Sequence, residues 1–176
     1  GKRKIIDFGM SRTTAEASGM EGHSPGYTPP EVRKGGDWTP MGDVWSTARS
    51  VLAIFCGERE DDLNGPKILW ENIQAMDWPE FETFLRDNTQ DDPLLRDQNA
   101  QKMLERFDVI TAQRKCQKIW QELAGKSADE VTKALSNTNK QAAQLVQMYP
   151  ENQAAQALLE ETRQRFKATH PAPVLE

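Results

Sequence analysis

The stretch HSPGYTPPE, His23 to Glu31, holds three prolines and a glycine among nine residues, a composition that breaks regular elements and makes loops. On local chemistry Ser24 is a turn serine before a proline. Nothing nearby explains why an acidic residue, Glu31, should close such a stretch. How the segments on either side read decides what it is for.

Upstream lies KIIDFGMSR, Lys4 to Arg12, a short apolar strand that runs into Asp7-Phe8-Gly9. Asp-x-Gly is also ordinary turn chemistry. Between the two stretches, residues 10–22 read MSRTTAEASGMEG, small and polar as in a solvated loop. Downstream, DVWS (Asp43 to Ser46) opens an apolar run that reaches Gly57. A helix apolar on most sides must be buried, so Trp45, Val51, Leu52, Ile54 and Phe55 are predicted core. Asp43 suits the positive end of that helix dipole. The acidic turn GEREDD, Gly57 to Asp62, reads as a solvated face that could attract basic groups.

From about Lys67 the pattern turns helical. PKILWENIQAM sets Ile68, Leu69, Asn72, Ile73 and Met76 at helical spacing. WPEFETFLRDN puts Trp78, Phe81, Phe84 and Leu85 on one face, with Pro79 tolerated in the first turn. Met103, Leu104 and Phe107 continue the series, and Cys116, Ile119, Trp120 and Leu123 form another stripe ended by Gly125. Ser127-Ala128-Asp129-Glu130 is a capping box, Pro150 a stop. Ala155, Leu158, Leu159, Thr162 and Phe166 mark a last helix.

Composition excludes several classes. With 22 basic and 27 acidic side chains the net charge is −5, so no overall field favours nucleic acid or an anionic membrane. No apolar run approaches the ~20 residues of a membrane span. Cys56 and Cys116 lie far apart in apolar contexts, without metal-ligand spacing or a disulfide framework, and read as two buried thiols of a reducing, cytoplasmic compartment. The chain begins with Gly1, which suggests a fragment or a processed product.

Four segments together resemble protein kinases of the serine/threonine type. HSPGYTPPE resembles the G-T-P-x-Y-x-A-P-E segment that closes their activation segment, with Ser24 at the Thr, Tyr27 at the Tyr and Pro30-Glu31 at the Pro-Glu. Asp7-Phe8-Gly9 matches the magnesium-binding tripeptide. DVWS matches the start of the large buried helix. DDPLLRDQNAQKML resembles the late D-P-x-x-R signature through Asp92, Pro93 and Arg96. The four fall in the family's order, and independent motifs multiply their false-positive rates. The resemblance covers about residues 4–108 and only the latter part of the large lobe. The glycine-rich loop, the strand lysine and the catalytic loop have no counterpart here.

The resemblance implies roles residue by residue. Asp7 would hold Mg²⁺ against the phosphates of ATP, a hard ion on a hard oxygen ligand, with Phe8 packing on the lobe and Gly9 permitting the turn. Thr13, Thr14 and Ser18 would be phosphorylation sites able to order the loop. Ser24 and Tyr27 would shape the acceptor pocket. Asp43 would accept hydrogen bonds from the catalytic loop, and Glu31 would pair with Arg96 as a buried ion pair. The chain departs from the pattern at His23, Ala48 and Asp97, where glycine, glycine and proline are usual.

The expectation is a mainly α chain: a protein-kinase-like large-lobe portion over 1–108 and a helical extension over 109–176. The extension would pack on the lobe or offer a docking surface to a helical partner. QMYPENQAAQALLEE faintly resembles a tetratricopeptide-type helix junction. The implied activity is ATP- and Mg²⁺-dependent phosphorylation of serine or threonine in a protein substrate, with the chain alone inactive. The alternative is a pseudokinase or helical scaffold, an interaction module without turnover.

Overall fold

The computed structural model describes residues 26–56, 58–59, 67–68 and 70–169. The chain forms two compact units, Gly1–Met103 and Leu104–Glu176. The sequence places the division at 108/109. That position and the 103/104 division both lie inside one helix, residues 100–121, which no glycine or proline interrupts.

The described fold is mainly α. In the first unit, helix α1 (Pro30–Arg33) starts with proline at its first position, where a missing N–H costs nothing. Helix α2 (Pro40–Cys56) follows, then a two-residue antiparallel ladder of β1 (Glu58–Arg59) and β2 (Lys67–Ile68), with Glu58 opposite Ile68. Helices α3 (Trp70–Gln74) and α4 (Pro79–Asn88) and a 3-10 turn at Pro93–Leu95 complete it. PKILWENIQAM is thus not one helix: Ile68 sits in the ladder and the helix starts at Trp70.

Helix α2 packs against α3, α4 and the 3-10 turn. Its buried stripe is Val44, Trp45, Ala48 and Leu52, at helical spacing, and the α3 and α4 helices it packs against bury Ile73, Phe81, Phe84 and Leu85. Phe81 stacks on Trp78 at 4.7 Å between ring centroids and takes the edge of Phe55 at 5.7 Å. The expectation that the whole apolar run is core is wrong at its end. Ile54 is 78% exposed, on the side of α2 opposite Trp45, and Phe55 is 55% exposed in the last turn, touching Phe81 by one edge. Val51 is half-buried.

In the second unit, α5 (Ala100–Gln121) enters from the first unit as a single helix, joining the two stripes read separately in the sequence. Helices α6 (Ala128–Met148) and α7 (Gln153–Thr169) follow and pack on each other. Ser127 caps α6 reciprocally: its hydroxyl accepts from the Glu130 N–H, and the Glu130 carboxylate accepts from the Ser127 N–H. Gly125 takes φ +80° in the turn after α5, a conformation that strains any residue with a Cβ. Helix α6 ends two residues before Pro150.

Val109 and Cys116 of α5 share one core with Ala142 and Leu145 of α6 and Ala155, Leu158 and Leu159 of α7. The alanines let the helices approach, and the leucines fill between them. Buried hydroxyls are satisfied locally: Thr138 donates to the Leu135 carbonyl, and Thr162 to the Leu159 carbonyl. Cys116 is a free, fully buried thiol, pushed up to about 11 by burial and by the Glu161 charge. The side chain of Cys56 lies outside the described residues. At the α6–α7 corner, the Tyr149 hydroxyl donates to Asp108 at 2.6 Å and the Asn152 amide to Glu105 at 2.7 Å. Among the described residues no helix is long and apolar enough to cross a membrane.

Candidate functional site

The stretch from Gly26 to Glu31 lies on helix α2 and the loop after α4. Gly26 has φ +81°, and its carbonyl accepts from Nε of Arg49 at 2.9 Å. The carbonyl of Tyr27 accepts from the Ser46 hydroxyl at 2.8 Å. Both donors lie on α2, so two successive carbonyls are held by one rigid element. Thr28, Pro29 and Pro30 are buried, and Tyr27 is half-buried.

Gly42 explains how the helix comes so close. A Cβ there would stand 3.3 Å from Cγ of Pro29, 3.3 Å from the Trp38 ring and 3.7 Å from Oε1 of Glu31. Only a residue without a side chain keeps those contacts relaxed.

The best-satisfied group of the site is Arg96, whose side chain is wholly inaccessible to solvent. Nη1 donates to Oε1 of Glu31 at 2.7 Å and to the Met41 carbonyl at 3.2 Å. Nη2 donates to Oε2 of Glu31 at 2.9 Å and to the Asp91 carbonyl at 3.1 Å. Nε donates to the Gln90 carbonyl at 2.7 Å. Every N–H of the guanidinium has an acceptor, which is what makes a buried cation tolerable. Burial alone would raise the Glu31 carboxyl. The Arg96 hydrogen bonds and the charges of Arg96 and Arg33 outweigh it, and the carboxyl falls below its usual range.

The backbone that presents Arg96 is fixed in turn by Asn88, a fully buried amide at the end of α4. Nδ2 of Asn88 donates to the Phe84 carbonyl at 3.0 Å and to Oδ2 of Asp97 at 2.8 Å. Its Oδ1 accepts from the Asp97 N–H at 2.9 Å. Asp92 caps the 3-10 turn by accepting from the Leu94 N–H at 2.9 Å.

Of the residues singled out in the sequence, Glu31, Tyr27 and Arg96 are brought into one region. Asp43 sits in the first turn of α2, largely exposed, and shielding of part of its carboxyl from water pushes its pKa up. Asp7, Phe8, Gly9, Thr13, Thr14, Ser18 and Ser24 lie outside the described residues. Sequence reading missed Arg49, Ser46 and Asn88 as ties. A lone arginine within the apolar run of α2 was the available signal for the first. No residue pattern flagged Asn88. Among the described residues, no group of three or more His, Cys, Asp or Glu side chains is placed to hold a metal ion.

No protein-family model matches the chain, and no solved structure matches it. Among curated proteins, it is 32% identical over 77 residues, 43% of this chain, to a protein of Dictyostelium discoideum that bears the name of a myosin light chain kinase. It is 35% identical over 68 residues, 37% of this chain, to the SNF1-related protein kinase catalytic subunit alpha KIN12 of Arabidopsis thaliana. Over 90 residues, 42% of this chain, it is 32% identical to a cysteine-rich receptor-like protein kinase of the same plant. The matches take in 22%, 14% and 14% of those relatives' own lengths. One segment of this chain is therefore similar to protein kinases.

Proposed function

We propose that residues 4–108 are the latter part of a protein kinase large lobe, and that the parent protein transfers phosphate from ATP to serine or threonine of protein substrates. The observation that carries the reading is the two-pronged Glu31–Arg96 pair, because it joins residues 65 positions apart that no helix or turn chemistry would bring together. It fastens the end of a proline-rich loop to the late helices, as a segment that shapes an acceptor pocket requires. The similarity to protein kinases over part of the chain supports the same reading.

In this reading Asp7 holds Mg²⁺, whose charge offsets the charge of the transferring phosphoryl group, with Phe8 and Gly9 setting the direction of the aspartate. Ser24 and Tyr27 line the acceptor side, Asp43 supports the site from α2, and Thr13, Thr14 and Ser18 are sites of control by phosphorylation.

The test is Asp7→Asn in the full-length parent, assayed for phosphate transfer to serine and threonine peptides. Asparagine keeps the shape and removes the charge, so transfer should fall on the order of 10²–10³-fold with the fold intact. Near-normal transfer by the variant would reduce Asp7 to a turn residue. Absence of transfer by the unaltered parent would favour the scaffold reading instead.

A further inference from the structure

Helix α2 meets the loop from Gly26 to Pro29 along one face. The contacts come from Gly42, Ser46 and Arg49, four and three positions apart, a spacing that a helix stacks on one side. Gly42 lies against Pro29, Ser46 against Tyr27 and Arg49 against Gly26. The order is reversed, so the loop runs along α2 towards the start of the helix.

Arg49 is out of keeping with its helix. It is the one charged side chain in VWSTARSVLAIFC, Val44 to Cys56, and it is buried. A buried guanidinium is costly unless acceptors meet it, and the apolar neighbours Val44, Ala48 and Leu52 have no side-chain acceptor to offer. Packing of α2 would be served as well by leucine or methionine. What the cation reaches is the main-chain carbonyl of Gly26, 2.9 Å from Nε. One turn earlier the Ser46 hydroxyl donates to the Tyr27 carbonyl at 2.8 Å, sharing its proton with the Gly42 carbonyl at 3.1 Å.

The loop is thus held at both ends by buried arginines from different elements. Arg49 holds Gly26, and Arg96 holds Glu31. Tyr27 lies between them. We infer that Arg49, assisted by Ser46, is a positioning residue for the phosphate acceptor: it presets the Gly26–Tyr27 backbone and so sets the affinity for the receiving peptide. The inference rests on the kinase reading, in which Tyr27 lines the acceptor side. Both donors act through main-chain carbonyls of the loop. A loop that is already ordered spares the ordering cost when the acceptor binds. It favours bound acceptor and transition state alike, so its loss raises the peptide KM and leaves kcat in place.

The experiment uses the full-length parent and a positional-scanning library of serine and threonine peptides, whose best-transferred member becomes the acceptor for kinetics. Arg49→Met keeps the length and apolar contact of the side chain and removes its donors. It should raise the peptide KM about tenfold, the equivalent of one hydrogen bond from a charged donor. The KM for ATP and kcat should stay within about twofold of the parent's. Arg49→Lys keeps one charged donor and should recover most of the loss. Ser46→Ala removes a neutral donor and should raise the same KM about threefold, which decides the matter even should Arg49→Met fail to fold. A merely structural role would reduce the amount of folded enzyme, lowering kcat with both KM values unchanged. That pattern, a peptide KM unchanged in both variants, or a lysine variant no better than methionine would overturn the inference alone. No transfer to any peptide by the unaltered parent would overturn the kinase reading, and the inference with it.

Discussion

Arg96 grips Glu31 with two parallel hydrogen bonds, Nη1 to Oε1 at 2.7 Å and Nη2 to Oε2 at 2.9 Å, across 65 residues of sequence. Such a fork fits a guanidinium and a carboxylate and no other pair of side chains as well. It closes one loop of the first unit against another, and three main-chain carbonyls complete the guanidinium's shell.

Breaking the pair from either side should be expensive. Arg96→Met leaves a desolvated carboxylate, and Glu31→Gln leaves a cation with incomplete compensation. Each should destabilise the first unit by about 3–5 kcal/mol in urea unfolding. The double variant should cost less than the sum of the two, since each single change strands the other charge. Strict additivity would show that the two groups do not depend on each other.

The same pair predicts an acid response. The folded carboxyl of Glu31 lies below its unfolded value of 4.5, so the native state holds the proton less tightly. Its contribution is fully present above the unfolded value and is lost as pH falls through the lower, folded one. Glu31→Gln should flatten that part of a stability profile measured from pH 6 downward. An unchanged acid limb would disprove the linkage.

Asn88 should matter as much for position as for energy. Asn88→Ala removes three hydrogen bonds at once, among them the one that the half-buried Asp97 N–H makes to the Asn88 carbonyl oxygen. A loss of about 1–3 kcal/mol is expected from the unsatisfied group. If Asn88 works through Arg96, its effect should shrink once Arg96 is already Met. Equal losses in both backgrounds would make it an independent helix-end contact.

At high pH the second unit should weaken. The Tyr149 hydroxyl is pushed up to about 12 from 10.0, first by its hydrogen bond to Asp108, then by burial and the charges of Asp108 and Glu105. Cys116 stands at about 11 against 9.0, first through burial and then through Glu161. Both acids keep their protons longer when folded. Their stabilisation is therefore complete below the unfolded values and is lost as pH rises through the folded ones. Circular dichroism melts from pH 8 to 12 should fall in that window, and Tyr149→Phe should remove the upper portion of the decline. A flat profile to pH 12 would contradict both assignments.

Ser127→Ala offers the simplest check of a local device. It removes the hydroxyl arm of the Ser127–Glu130 box, leaves the bond from its backbone N–H to the Glu130 carboxylate, and should cost about 1 kcal/mol, read as a lower melting temperature. Ser127→Gly should cost only a few tenths, because glycine still adopts the capping backbone. Equal losses would mean that the hydroxyl bond, which both variants lack, carries the whole effect and the capping backbone none of it.

Much of this architecture is written in short-range chemistry. The capping box at Ser127, Pro79 at the first position of α4, the turn glycine Gly125 and the Leu158–Leu159 stripe of α7 each depend on residues within a turn or two, so the sequence alone determined them. The pairing of Glu31 with Arg96 was legible for a different reason, a resemblance of motif order. Tertiary structure decided the rest. Leu52 and Phe55 are equally apolar and lie on one helix face, yet Leu52 is buried and Phe55 is 55% exposed, because burial depends on whether another element reaches that turn. That α5 runs unbroken through Phe107 was likewise visible only in the folded chain. Asn88 carries no pattern of its own: a buried amide is tolerated only where distant backbone supplies its partners, and that geometry exists only after the chain has folded.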